Sequence, residues 1–155
     1  MRRVMKTMIL TWGSANRGKS QSLKELASLL SRSFSSAIQN WQDDDYDSYV
    51  IGGILDNEGE ERRVGVVSLG DPGSGHMTWI KDCVEKNCEV IVAACRSYGA
   101  TNDNALKVAR DNGYEVIEAT TLFHEGGPEL PNGVDLRVVF AENMKHLIME
   151  CLREA

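Results

Sequence analysis

The chain has 155 residues, is 42% hydrophobic, and carries 17 basic against 23 acidic side chains for a net charge of −6. That length suits one domain, since domains run to roughly 100–200 residues, and it is enough to build a core without disulfide or metal staples. The acidic balance excludes a broad basic surface for nucleic acid while leaving room for a local basic pocket. No apolar run nears the ~20 residues of a membrane helix. The stretch 1–10 is charged but lacks a sufficient apolar run and a small-residue cleavage site, so it does not read as a signal peptide. A single cytoplasmic domain over 1–155, without a membrane partner, is the expectation.

Taken in order, the elements alternate between strand and helix, with no internal repeat. Residues 5–11 form an apolar strand that stops at Trp12-Gly13, and from Lys19 the spacing turns helical through Leu23, Leu26, Ala27, Leu30 and Phe34. Residues 34–48 read either as a helix end or as a short strand before the acidic run Asp43-Asp44-Asp45-Tyr46-Asp47. A hairpin is predicted from 49–55 and 63–69 around the turn-like Asp56-Asn57-Glu58-Gly59-Glu60. It leads into Gly70-Asp71-Pro72-Gly73-Ser74-Gly75 and a helix over about 76–87 that buries Met77, Ile80 and Val84.

The run Val90-Ile91-Val92-Ala93-Ala94-Cys95 is apolar throughout, which suits a parallel strand covered on both faces at the sheet centre. A helix starting at Asn102 or Asp103 stops at Asn112-Gly113, and a strand follows over 114–119. The loop 121–136 is long for a compact domain, the kind of segment that serves as a lid or stays disordered. A last helix over about 137–153 sets Phe140, Met144, Leu147, Ile148, Cys151 and Leu152 on one stripe. Cys83, Cys88, Cys95 and Cys151 match no zinc or redox spacing and read as buried reduced thiols, with a Cys83/Cys88 bridge as the alternative. The pattern predicts an α/β fold of three layers, a mostly parallel sheet with flanking helices and one antiparallel hairpin.

Between the first strand and first helix stands Gly13-Ser14-Ala15-Asn16-Arg17-Gly18-Lys19-Ser20, which fits G-x-x-x-x-G-K-[ST] at every fixed position. A triphosphate's charge needs several donors at close range. Such a loop turns its N–H groups inward, and Gly13 and Gly18 allow the close approach that a Cβ would obstruct. In this pattern Lys19 reaches the β- and γ-phosphates, Ser20 places its hydroxyl on Mg²⁺, and the helix aims its positive dipole end at the same anion. Residues 13–21, with Gln21 the last, are the candidate nucleotide-binding stretch.

On these residues the chain resembles the P-loop NTPase superfamily, closely over the loop and loosely over the strand–helix order beyond it. The resemblance implies a parallel-sheet core, a nucleoside triphosphate ligand, and a second acid that helps Ser20 hold Mg²⁺. Asp71, after the apolar 64–69, is the candidate for that acid; the alternative is a turn aspartate opening Asp-Pro-Gly. Departures from known branches are informative. No glutamate follows Asp71, the Asp-x-x-Gly switch fails at Ser74, the guanine-reading Asn-Lys-x-Asp signature is missing, and Ser14 stands where partitioning ATPases carry a second lysine.

What remains is similar to small kinases or an unassigned NTPase with ATP as the default ligand. Lys19, Asp71 and Arg96 are the candidate catalytic residues. Arg17 and Arg137 are further cations able to stabilise charge on a transferred phosphoryl. His76, Trp79, Tyr98, Thr101 and Asn102 are positional candidates for contacts to a small-molecule acceptor or base. The expected function is Mg²⁺-dependent phosphoryl transfer to water or to a small acceptor. The alternative is a nucleotide-binding interaction module with little or no turnover.

Overall fold

Six strands and four helices make up the computed structural model, which describes residues 5–12, 19–42, 48–56, 58–68, 76–95, 100–122 and 124–153. They run in the order β1 (Thr7–Trp12), α1 (Lys19–Ser31), β2 (Ser36–Gln42), β3 (Ser48–Leu55), β4 (Glu61–Val67), α2 (His76–Glu85), β5 (Val90–Cys95), α3 (Ala100–Asp111), β6 (Glu115–Thr120) and α4 (Leu136–Cys151). The strands form one mixed sheet of order β2-β3-β4-β5-β1-β6. β4, β5, β1 and β6 run parallel, and β3 and β2 continue the sheet as antiparallel neighbours. The fold is α/β, as expected. The single predicted hairpin is β3–β4, but β2 extends it into a three-strand antiparallel meander.

Two apolar clusters place the helices. Leu23, Leu26, Ala27 and Leu30 of α1 share one cluster with Phe140, Ala141, Met144 and Ile148 of α4 and with Ile9, Val50, Val66 and Val92. On the opposite face Ile80 and Cys83 of α2 and Ala105, Val108 and Ala109 of α3 pack with Met8, Leu10, Ile51, Val67 and Ile91. Every residue of β5 is buried, which matches its unbroken apolar run between β4 and β1.

Several sequence expectations shift by physical causes. Residues 36–42 form an edge strand whose register slips between Ala37 and Gln39, a bulge that breaks the alternation a strand assignment needs. Phe34 lies beyond the end of α1; its ring occupies the space where a Cβ on Gly52 would stand, so it caps the β3 face instead of extending the helix. Helix α3 begins at Ala100, two residues earlier than predicted. Val84 is only half-buried, and Cys83 takes the inward position on α2.

Helices α2 and α3 stop by the same device. In α2 the Cys88 and Asn87 N–H groups donate to the Cys83 and Val84 carbonyls (both 3.0 Å), with Asn87 at φ 60°. In α3 Tyr114 N–H donates to Ala109 O (2.9 Å) and Gly113 adopts φ 76°. These are paired bonds of the Schellman type, which turn the chain directly into the next strand. The Cys88 side chain, hydrogen-bonded to Cys83, and burial together push the Cys83 thiol well above its usual pKa, so it stays protonated. All four cysteines are free and buried. No helix among the described residues is long and apolar enough to cross a membrane.

Candidate functional site

Because β4, β5, β1 and β6 run parallel, their carboxyl ends share one edge of the sheet. Register aligns Trp12 with Cys95 and with Thr120, so β5, β1 and β6 end level. From that edge the chain leaves β1 for α1 on one face and leaves β5 for α3 on the other. Adjacent strands whose connections depart to opposite faces open a crevice between their ends, the usual ligand position in an open α/β sheet. Here that position is at the ends of β1 and β5, after Trp12 and Cys95.

Gly13, Ser14, Ala15, Asn16, Arg17 and Gly18, which join β1 to α1, lie outside the described residues, as do Asp71, Ser74, Arg96 and Tyr98. The backbone of Lys19 and Ser20 forms the start of α1, and that of His76 the start of α2. In sequence, 13–18 follow β1 and Arg96 follows β5, two neighbouring parallel strands that end level. Asp71 follows β4, one strand further out, so about 10 Å separates its strand from β1 at the ordinary spacing. Helix α1 bridges that gap by packing on β3, β4 and β5. No acidic residue occupies its first turn, so the helix itself places no carboxylate at its positive dipole end.

Gln21 is the predicted phosphate-stretch residue whose side-chain bonding is defined. Its Oε1 accepts from Arg137 Nη1 at 2.8 Å, a contact spanning 116 residues of sequence. Arg137 also grips Asp135 through Nε on Oδ1 (2.9 Å) and Nη2 on Oδ2 (2.8 Å), while Glu129 stands 3.8 Å from Nη2. Asp135 is the N-cap of α4 and accepts from Arg137 N–H at 2.9 Å. One carboxylate therefore starts the helix and orients the arginine that ties it to α1.

The loop before α4 is folded on itself. Leu130 N–H donates to Val134 O (2.8 Å), Leu136 N–H to Pro128 O (2.7 Å), and the His124 ring lies against Gly126 N–H (Nδ1, 3.2 Å) and Glu129 O (Nε2, 2.5 Å). Length and glycine content suggest a lid or a disordered segment; residues 124–135 instead carry local hydrogen bonds and end in the clamp on Gln21. No side-chain spacing in one dimension signals this arrangement. Trp79, a positional candidate, stacks on Tyr49 with centroids 4.8 Å apart, and the Tyr49 hydroxyl donates to Asp82, so this aromatic pair braces α2 against β3.

The Arg137 guanidinium hydrogen-bonded to Asp135 holds that carboxyl below the usual carboxylate range, outweighing burial. In the unfolded chain an aspartate takes its proton near pH ~4, ahead of the folded state, so this contribution to stability is present above that pH and is lost as pH falls further. Thermal melts between pH 5 and 2.5 are expected to show the wild type losing stability more steeply than Asp135→Asn; parallel curves would remove the clamp from the acid response.

Comparison with protein-family models, curated proteins and solved structures returned no match. Among the described residues, no group of three or more His, Cys, Asp or Glu side chains is arranged to hold a metal ion.

Proposed function

We propose that this chain is a nucleoside-triphosphate-binding protein of the P-loop type that carries out Mg²⁺-dependent phosphoryl transfer, with ATP as its ligand. The observation that carries the reading is one of placement. The sequence G-x-x-x-x-G-K-S stands between the end of β1 and the start of α1, β1 and β5 send their chain to opposite faces of the sheet, and α1 has no acidic residue in its first turn.

In this reading the backbone of 13–18 and the amino end of α1 receive the phosphates, Lys19 neutralises the β- and γ-phosphates, and Arg96 approaches from the end of β5. Ser20 and Asp71 would hold Mg²⁺, whose chemistry when bound is to neutralise charge on the β- and γ-oxygens. Phosphoryl transfer asks for positioning and charge stabilisation more than covalent chemistry, and these residue types supply both. Arg137 serves as a positioning residue through Gln21 and the start of α4.

Calorimetric titration of the full chain with ATP, in Mg²⁺ and in EDTA, followed by phosphate-release and nucleotide-acceptor assays, tests the reading. Saturable binding with Mg²⁺-dependent turnover is expected. Absence of ATP binding in both buffers overturns it, and tight binding without hydrolysis or transfer favours the interaction module.

A further inference from the structure

Helices α1 and α4 lie side by side and run in the same direction. Near their starts Arg137 Nη1 donates to Gln21 Oε1 at 2.8 Å, and further along Lys145 Nζ donates to Ser33 Oγ at 2.9 Å. Between these two bonds Leu23, Leu26, Phe140 and Met144 share one apolar cluster. The amino ends of the two helices, and with them the positive ends of their dipoles, therefore stand together. Asp135 caps α4, whereas α1 has no acidic residue in its first turn. Through its bond to Gln21, the Arg137 guanidinium adds a further positive charge beside that turn.

A cation is badly placed at the amino end of a helix, because the dipole repels it. Arg137 is kept there by Asp135, whose Oδ1 and Oδ2 accept from Nε and Nη2 at 2.9 and 2.8 Å. An anion at the start of α1 would reverse the balance, drawing the guanidinium onto Gln21 so that a bond opposed by the dipole becomes favoured. The segment before α4 is joined to this clamp. Glu129 forms a backbone bridge with Asp135, while Leu130 N–H donates to Val134 O (2.8 Å), Gly133 N–H to Leu130 O (2.8 Å) and Leu136 N–H to Pro128 O (2.7 Å). No residue of 124–135 is buried. Hydrogen bonds rather than core packing hold this segment, which puts it among the parts of a fold that open most easily.

We propose that Gln21 and Arg137 form a coupling strut, through which an anion bound at the start of α1 stiffens the 124–135 segment and that segment in turn tightens the hold on the anion. Linkage makes the two effects equal. The Arg137–Gln21 bond, made or broken, is the two-state element that both sites bias. The proposal rests on the nucleotide-binding reading and adds to it a surface whose order depends on the bound ligand.

Hydrogen exchange of the full chain, without ligand and with saturating ATP and Mg²⁺, tests the strut alongside calorimetry. In wild type, ATP is expected to slow exchange at Leu130, Gly133 and Leu136 by about 5-fold or more, the lower end of ordinary couplings between sites. Gln21→Met and Arg137→Met place unbranched side chains at partly buried positions, so both variants should melt near wild type. Each is expected to bind ATP about 5-fold more weakly and to lose the exchange response at saturation. The double variant should bind no more weakly than the weaker single one, because both substitutions break the same bond. Exchange unaltered by ATP in wild type overturns the strut, as does a response that survives in both single variants. Losses that add in the double variant also overturn it, since they mark two independent contacts. A wild type that binds no ATP overturns the nucleotide reading itself, and the strut with it.

Discussion

Lys19→Ala is expected to weaken ATP binding by about 100-fold or more in a calorimetric titration while leaving the ligand-free melting temperature near that of wild type. The two halves of this expectation have separate causes. Position 19 opens α1, where alanine is the most favourable helix former, so the substitution does not weaken the helix. The ammonium group, by contrast, would meet phosphate oxygens. Charge-assisted hydrogen bonds of this kind contribute about 1.5–3 kcal/mol each, and two of them correspond to a factor of roughly 100 or more. Lys19→Arg sharpens the result. It keeps the charge but replaces a compact ammonium with a broad planar fork, so affinity should stay well below wild type. Unchanged affinity in Lys19→Ala would remove the phosphate-loop assignment and everything built on it.

The elements that were legible in the sequence are those whose burial is uniform or simply periodic. Val90–Cys95 is buried on both faces, so its apolar run has the same limits as the strand. Gly113 marks the end of α3 because a left-handed residue must stand there. Strand β2 is ambiguous for the opposite reason: it lies at the sheet edge, and the slip between Ala37 and Gln39 destroys its period. Phe34 sits at i+4 from Leu30 and so mimics a helical position, yet its packing partner is the bare face of Gly52, 18 residues away.

For the candidate site, the motif at 13–20 was legible because it is contiguous. Its surroundings were not. The Arg137 clamp joins positions 116 residues apart. Such features depend on register and docking, which one-dimensional spacing does not encode.

Asp56→Ala should destabilise the fold more than any of the site substitutions, and it should act through the edge of the sheet opposite the proposed nucleotide site. Asp56 follows β3 and organises the turn into β4, its Oδ1 accepting from Glu58 N–H (2.8 Å) and Glu60 N–H (3.0 Å). Its Oδ2 pairs with Arg62 Nε at 3.0 Å, and Arg62 Nη1 reaches Glu89 at 2.9 Å, just before β5. The Arg62 side chain is 3% exposed, so the carboxylates that neutralise it are integral to the fold. Removing one partner of a buried ion pair typically costs about 3–5 kcal/mol, because the remaining charge stays out of water. A domain of this size would then melt roughly 10 °C lower or more, given shifts of about 2–4 °C per kcal/mol. Replacing Arg62 by Met as well, in the double variant Asp56→Ala/Arg62→Met, should recover part of that loss, since it removes the stranded charge and keeps an apolar stem. Where the double variant is folded, its ATP affinity in Mg²⁺ should match wild type, because the network lies at the amino ends of β4 and β5 while the proposed ligand binds beyond their carboxyl ends. A melting temperature unchanged in Asp56→Ala would show that the turn and Glu89 alone satisfy Arg62. Lost stability with lost affinity in the double variant would tie the two edges together, contrary to a sheet whose buried aliphatic core of Ile9, Val50, Val66 and Val92 separates them.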